Sequence, residues 1–208
     1  KQGYVNLDKS FVSKYKYFVA EGQPLYTWYL PKFAGLDATT GEATYYKDVL
    51  DANGNVTGQQ TTKDPSQATD YLIGDALPRF YGGFGTTVSY HGIDLSVNLN
   101  YQIGGKAYDY TYQTLMHTGG TTATNWHTDM LNAWTPGNTN TDIPRLIYAE
   151  SYSQNARSDR FITSASYLSI QNVNLGYTLT SSWTERFKIQ RFRVYMAVEN
   201  PFYFSARQ

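Results

Sequence analysis

The fold of this chain is decided by one stretch, Ile93–Ile103, which reads IDLSVNLNYQI. Its odd-numbered positions are apolar or aromatic and its even-numbered positions are polar, which is the period of a β-strand with one apolar face. Phe80–Tyr90 alternates too, and His91-Gly92 between the two stretches suits a two-residue hairpin turn, because glycine tolerates a positive φ. Pairing Tyr90 with Ile93 sets apolar positions opposite each other, whereas a slip of one residue would invert them. The sequence therefore predicts a hairpin in this register.

A second, less regular pair of strands is predicted nearer the carboxyl end. Residues 173–179 alternate between apolar positions and polar or glycine positions, and a further alternating stretch starts at Arg191. The connection 181–187 suits a helical turn. Upstream of Asn172 the apolar positions change parity. Either a β-bulge or a strand that continues beyond its apolar part would produce this change.

Two long segments, about 37–79 and 104–160, lack this periodicity and are predicted to be loops. The second is expected to hold one short helix, which starts near Thr124 or Asn125 and stops before Pro136, because its apolar residues recur every four positions. Short connections between predicted strands then alternate with long ones. Outer-membrane barrels have this arrangement, with short periplasmic turns and long outer loops. The predicted fold is all-β, a segment of an antiparallel up-and-down transmembrane β-barrel with long extracellular loops and one short loop helix.

The composition narrows the class of function. The chain carries 17 basic and 17 acidic residues, so it has no net charge that would attract nucleic acid. Aromatic residues are as frequent as charged ones, at 16% each, whereas ordinary soluble domains are about one quarter charged. The chain has no cysteine, which excludes disulfides and cysteine-based sites. Its start lacks the apolar core of a signal peptide, and we interpret the chain as a segment of a longer protein.

Several motifs follow one another along the chain. They include Gly35-Leu36-Asp37, Gly74-Asp75-Ala76-Leu77-Pro78-Arg79-Phe80, Tyr101-Gln102-Ile103-Gly104-Gly105-Lys106, Ala133-Trp134-Thr135-Pro136, Asp142-Ile143-Pro144-Arg145-Leu146, Ser158-Asp159-Arg160-Phe161 and Leu175-Gly176-Tyr177-Thr178-Leu179. In this order they resemble the C-terminal barrel region of the SusC/RagA family of TonB-dependent transporters. The similarity covers most of the chain.

The resemblance implies a function, a location and partners. It implies a large barrel in the outer membrane of a Gram-negative bacterium of the Bacteroidetes type, in contact with outer-membrane lipid. Such a barrel imports glycans, oligosaccharides or peptides with energy from the TonB complex, and it works with a surface lipoprotein of the SusD type. Residues 1–208 would be the C-terminal part of the barrel. The plug domain, the N-terminal segment that contacts TonB and the final strand are expected to lie outside it.

No catalytic or metal site is recognised in the sequence. His91 is a predicted turn residue, and neither His117 nor His127 has a carboxylate at the spacing of a metal site. Neither a nucleophile elbow nor a phosphate-binding glycine loop is present. Two acid–base pairs, Asp142 with Arg145 and Asp159 with Arg160, are better explained as ion pairs than as catalytic pairs. We therefore predict that the protein is not an enzyme and has no cofactor.

Five residues of the predicted outer loops are candidates for contacts with a transported substrate: Tyr108, Tyr110, Tyr112, Trp126 and Arg160. Aromatic faces with polar neighbours suit the path of a sugar or a peptide. The competing interpretation is that the aromatic residues pack the loops against each other. Packing is favoured for Trp126 and for Trp134 on the same helical face, and neither interpretation is favoured for the tyrosines.

Two alternatives from other classes are open at this point. One is a secreted carbohydrate-binding β-sandwich, which would be soluble without detergent and would bind glycan by itself. The other is a surface adhesin or fibre subunit that assembles through open strand edges. The long apolar alternation with aromatic residues at both ends favours the transporter segment over both.

Overall fold

The computed structural model describes residues 11–12, 16–119, 125–148, 153–180, 183 and 185–205. Its strands are β1 (Phe11–Val12), β2 (Tyr17–Val19), β3 (Thr27–Pro31), β4 (Phe33–Leu36), β5 (Ala43–Leu50), β6 (Val56–Thr62), β7 (Asp70–Asp75), β8 (Phe80–Tyr90), β9 (Ile93–Ile103), β10 (Lys106–Tyr108), β11 (Ile162–Ser164), β12 (Tyr167–Thr178) and β13 (Arg193–Ser205). Its helical elements are α1 (Tyr110–Leu115) and short 3-10 turns at Pro65–Gln67, Thr128–Asn132, Asp159–Phe161 and Glu185–Phe187. The predicted all-β class, a partial antiparallel barrel, is confirmed.

The strands form four sheets, in the orders β1-β2-β3-β7, β4-β5-β6, β10-β11 and β13-β12-β9-β8. The chain divides into two compact units. The loop-bearing unit takes its residues from 1–76 and 107–163, and the long-strand unit takes its residues from 77–106 and 164–208. Among the described residues, no helix combines the length and the apolar character needed to cross a bilayer.

The hairpin predicted from Ile93–Ile103 is confirmed pair by pair. Tyr90 lies opposite Ile93, and the register holds without a break to the pair Phe80 and Ile103. The turn residues His91 and Gly92 both have positive φ, at 47° and 86°. Two positive φ values are the signature of the type I′ turn, whose twist matches that of the flanking strands.

A β-bulge explains the change of parity in the second pair of long strands. The registers of β12 with β9 and with β13 both step over Gln171, between Ile170 and Asn172. Two residues of β13, Asn200 and Pro201, lie opposite this interruption. Proline cannot donate to a ladder, so its position at an irregularity costs the sheet little. The 3-10 turn Glu185–Phe187 lies in the connection where a helical turn was expected; residues 181, 182 and 184 lie outside the described residues.

The prediction that residues 37–79 form a loop is wrong in large part. The segment contains β5, β6 and β7, and β5 and β6 form a hairpin. Six of the seven residues of β6 are exposed. Its sequence, VTGQQTT, therefore shows no alternation between a buried and an exposed face, and periodicity alone cannot detect such a strand.

The short helix predicted within residues 104–160 exists, but its predicted position is wrong. The region before Pro136 holds a 3-10 turn, Thr128–Asn132, which is capped by His127, and Thr124 lies outside the described residues. The α-helix lies earlier, at Tyr110–Leu115, where the Asp109 carboxylate accepts a hydrogen bond from the Tyr112 amide as an N-cap. The alternating tyrosines of this stretch conceal the helix because they imitate a strand.

The second long segment is folded onto the β4–β5 hairpin of the loop-bearing unit. The Gln154 side chain accepts a 2.6 Å hydrogen bond from the Ala43 amide, and the Tyr45 hydroxyl donates a 2.8 Å bond to the Ser153 carbonyl. Ala43 and Tyr45 are fully buried there. A small core of Met116, Met130, Ala133, Ile143 and Phe161 supports the same segment. These contacts show that the segment packs as part of the fold.

Replacing Gly92 with valine should destabilise the hairpin. A β-branched residue is strained at φ +86°, and its Cβ would collide with the Thr178 carbonyl oxygen. We expect a loss of at least roughly 1–2 kcal/mol, measured in detergent as a lower midpoint for the loss of β-sheet circular dichroism in the protein that contains this chain. The control is His91→Asn, because asparagine tolerates positive φ. Equal midpoints for the two variants would contradict the turn assignment.

Candidate functional site

The long-strand unit has one apolar face that is open to the surroundings. Rows of paired residues run across all four strands, for example Val88, Leu95, Leu175 and Met196. All four are exposed, and so are most of the large apolar side chains in the neighbouring rows. Soluble monomers rarely expose contiguous apolar surface of this extent. In the carbohydrate-binding sandwich considered above, a second sheet would cover this face.

Aromatic residues lie at both ends of the apolar face. Tyr90 and Tyr177 belong to the row beside the two-residue turn. At the other end, Tyr101 and Phe204 share a row, and the parallel rings of Phe202 and Phe204 lie 6.2 Å apart. Aromatic girdles at both edges of an apolar band are typical of barrels that cross a bilayer.

The opposite face of the same sheet is polar and mostly uncharged. Glycines of β8 leave room for the amide side chains of β9: Asn98 lies over Gly85, and Asn100 lies over Gly83. A larger residue at either glycine would displace its neighbouring amide. In membrane barrels the face opposite the lipid lines the interior, and its residues set what the lumen accepts.

One ion pair crosses three strands of the polar face. The Arg193 guanidinium of β13 donates two hydrogen bonds to the Asp94 carboxylate of β9, at 3.0 Å and 2.5 Å. The side chain passes over Gly176 of the intervening strand β12, where a Cβ atom would collide with it. This pair was not predicted from the sequence. The register sets Gly176 opposite Asp94 on β9 and opposite Tyr195 on β13, and Arg193 lies two positions before Tyr195 on the same face.

The loop-bearing unit contains a second cluster that sequence reasoning missed, which we call the charged cluster: Asp37, Glu42, Lys63 and Arg145. The Lys63 ammonium lies 3.1 Å from the Asp37 carboxylate and 2.5 Å from the Glu42 carboxylate. Glu42 also accepts a 3.1 Å hydrogen bond from Arg145, and the Arg145 amide donates to the Gly41 carbonyl. Arg145 thus pairs with an acid 103 positions away, which confirms that its role is an ion pair, although Asp142 is not its partner.

Electrostatics in the charged cluster favour the ionised forms. The Thr40 backbone N–H and the Lys63 ammonium hold the pKa of Asp37 at about 2. Lys63 and the Thr40 hydroxyl lower the pKa of Glu42, and Glu42 and Asp37 in turn raise the pKa of Lys63. The cluster connects the turn at 37–42, the end of β6 and the segment around Arg145.

Two of the predicted substrate contacts, Tyr108 and Tyr112, pack against the core of the loop-bearing unit. Their rings meet Phe161 edge to face at 6.2 Å and 6.1 Å. Burial raises the pKa of Tyr108, and the Tyr112 hydroxyl donates a 2.8 Å hydrogen bond to Asp129. Both side chains are thus held in place by packing.

Two other candidates, Tyr110 and Trp126, present their side chains at the surface, with exposed fractions of 72% and 51%. The Trp126 indole donates a 2.7 Å hydrogen bond to the His117 carbonyl and stacks on the His117 ring. This fixes the indole while leaving half of it accessible. The helical face that Trp126 and Trp134 were expected to share is absent, and Trp134 packs on Gly41 instead.

The fifth candidate, Arg160, lies over aromatic rings. Its guanidinium is 5.2 Å from the centre of the Phe33 ring and 5.5 Å from that of Phe161. Asp159 beside it accepts a 2.8 Å hydrogen bond from the Phe33 amide. Both residues thus connect the 3-10 turn Asp159–Phe161 to β4.

The three histidines have different structural roles. His91 is a turn residue, His117 is buried against Trp126, and His127 caps a 3-10 turn. The described part of the chain contains no group of three or more histidine and acidic side chains that could hold a metal ion.

Comparison with known proteins identifies the family. No family model matches the chain. It is 32% identical over 151 residues to "TonB-dependent receptor P3" of Formosa agariphila, which is 73% of this chain, and 26% identical over 137 residues to "TonB-dependent receptor P39" of the same organism, which is 64% of this chain. The chain spans 13% of the length of each of these curated relatives.

The same fold occurs in solved structures of the RagAB peptide importer. In the closed-closed state the TM-score is 0.77 at 26% identity, over 97% of this chain and 22% of the solved one. A second RagAB structure gives 0.76 at 26% identity, over 94% and 21%. This chain is a segment of a TonB-dependent receptor of the SusC/RagA type. The resemblance seen in the sequence motifs is confirmed, and none of these similar proteins is named as an enzyme.

The two faces of the SusC/RagA-type segment should differ in their tolerance of charge. Val88→Arg introduces a charge into the apolar face one row in from the aromatic row of Tyr90, and it should cost about 1–2 kcal/mol, less than the roughly 2–4 kcal/mol of a charge at the middle of a bilayer. Thr87→Arg, the matched change on the polar face, should be tolerated. The measurement is the fraction of the whole receptor that runs as a folded, heat-modifiable band from outer membranes. Similar losses in both variants would refute the orientation of the faces.

The ion pairs of the charged cluster should be lost in a defined pH range. Because the pKa of Asp37 is depressed from 3.8 to about 2, its stabilising contribution is complete above pH 3.8 and is lost as the pH falls through about 2. The 19F resonance of 5-fluorotryptophan at Trp134, assigned by its loss in Trp134→Phe, should report this transition because Trp134 packs on Gly41.

Lys63→Met should raise the midpoint of this transition toward pH 3.8, since it removes one of the groups that lower the pKa of Asp37. The matched control is Lys47→Met, whose ammonium bonds Gln67 instead. A midpoint that does not respond to Lys63→Met would show that the cluster does not control the pH response.

Proposed function

We propose that the whole protein to which this segment belongs is an outer-membrane importer that takes up nutrients with energy from the TonB complex. The observation that carries the proposal is the four-stranded sheet with an open apolar face, a polar face and aromatic rows at both ends. Its similarity to TonB-dependent receptors and to the RagAB peptide importer supports transport as the use of this architecture.

The substrate in this proposal is a glycan, an oligosaccharide or a peptide. The RagAB structures are named for a peptide importer. The polar face of the segment carries amide and hydroxyl side chains, and these hydrogen-bond equally well to sugars and to peptide backbones. A surface lipoprotein of the SusD type is the proposed partner. The outer membrane of a Bacteroidetes-type bacterium is the proposed location.

Within the loop-bearing unit, Tyr110 and Trp126 are the proposed substrate contacts. Both are exposed, and the Trp126 ring is held by its hydrogen bond to His117. A fixed aromatic face binds a ring or an apolar group at low cost in conformational entropy. Tyr108, Tyr112 and Arg160 support the fold around them.

The test compares uptake of labelled oligosaccharides and labelled peptides by cells that carry the whole receptor, by cells that lack it and by cells without a functional TonB. We expect uptake of one of the two substrate classes to require both the receptor and TonB. Equal uptake of both classes in all three strains would refute the proposal.

The loop contacts are tested in the same cells. Trp126→Ala should lower uptake several-fold at low substrate concentration and have less effect at saturation, because it weakens binding. The matched control is Trp183→Ala, which removes another exposed tryptophan. Equal effects of the two substitutions would remove Trp126 from the proposed substrate path.

A further inference from the structure

A shallow groove interrupts the apolar face of the long-strand unit at the end away from the His91-Gly92 turn. It has a volume of about 430 Å³ and is lined by Tyr101, Ile103, Ser166, Leu168 and Phe204 together with residues next to them in the chain. The groove is open along one side.

The groove forms because a small side chain, that of Ser166, lies beside large apolar side chains. Tyr101, Leu168 and Phe204 form a row across β9, β12 and β13. Ser166 directly precedes β12, and it lines the groove beside Leu168. Ile103 and Phe204 are large and half-exposed, whereas Ser166 is short. The difference in size leaves a notch between them.

The floor of the groove requires no water. The Ser166 hydroxyl accepts a 2.9 Å hydrogen bond from the Gly104 amide and a 3.0 Å bond from the Ser164 hydroxyl. The half-buried Ser166 hydroxyl already has two partners within the chain, so it does not depend on a solvent molecule. The lining contains no charged residue and is almost wholly carbon. The groove therefore suits an apolar occupant.

We propose that the groove retains one acyl chain of a bilayer lipid. The groove is continuous with the apolar face that the SusC/RagA-type barrel presents to the membrane, and its walls Leu168 and Phe204 are themselves exposed on that face. Lipid hydrocarbon surrounds such a face in a bilayer. An acyl chain in the notch gains contacts with carbon atoms of the groove walls. The proposal rests on the membrane position of the face and not on the transported substrate.

The test uses the whole receptor in nanodiscs of phosphatidylethanolamine that contain a trace of the same lipid with a diazirine on its acyl chain. After irradiation, the labelled residues are mapped by mass spectrometry. Labelling at Leu168 and Phe204 should exceed labelling at Val88 and Leu175 several-fold. Uniform labelling along the face would overturn the proposal, since it would show only the exchanging lipid that surrounds any barrel.

The second part of the test fills the groove with a larger side chain. Ser166→Trp should abolish the excess labelling, and the milder Leu168→Trp should reduce the excess at Phe204 if Ser166→Trp fails to fold. The matched control is Thr86→Trp, which enlarges a small residue of the apolar face outside the groove and should leave the excess unchanged. Excess labelling that persists in folded Ser166→Trp would overturn the proposal. Uptake measurements on the same variants report on transport separately.

Discussion

The shared register of β8, β9, β12 and β13 is the constraint on which both faces of the long-strand unit depend. Side chains alternate with a period of two, so a slip of one residue between any two strands would turn one apolar row toward the polar face. The type I′ turn at His91 and Gly92 sets the register of the first pair. The ion pair of Arg193 and Asp94 connects β13 to β9 in the same register. The apolar face, the polar face and the groove beside Ser166 all follow from this alignment.

The loop-bearing unit is stabilised in a different way. Its core is small, and much of its order comes from polar contacts between segments that are distant in the sequence, such as Gln154 with the Ala43 amide and Arg145 with Glu42. Exposed ion pairs contribute little individually, but a cluster in which one lysine joins two carboxylates restricts the surrounding turns. This arrangement presents Tyr110 and Trp126 at the surface of a segment that is itself ordered.

Periodicity predicted the long strands correctly and failed for the shorter elements. The hairpin from Phe80 to Ile103 was recognised because both of its strands have one apolar face. The strand Val56–Thr62 is exposed on both faces, so its residues carry no alternating signal. The helix Tyr110–Leu115 was missed because its tyrosines alternate like those of a strand. Trp134 was assigned to a helical face, yet its partner is a glycine from a turn 93 positions earlier in the sequence.

The sequence by itself determined the class, the register of the first long hairpin and the family, because these are encoded in local alternation and in the order of short motifs. Only the tertiary structure decided that the parity change is a bulge at Gln171, that Arg193 reaches Asp94 over Gly176, and that Ser166 leaves a notch beside Phe204. Each of these depends on which residues of separate strands become neighbours. Neighbours across a sheet are set by backbone pairing between residues as much as 84 positions apart, such as Tyr177 and Ile93, and a local sequence pattern does not record which distant residues pair.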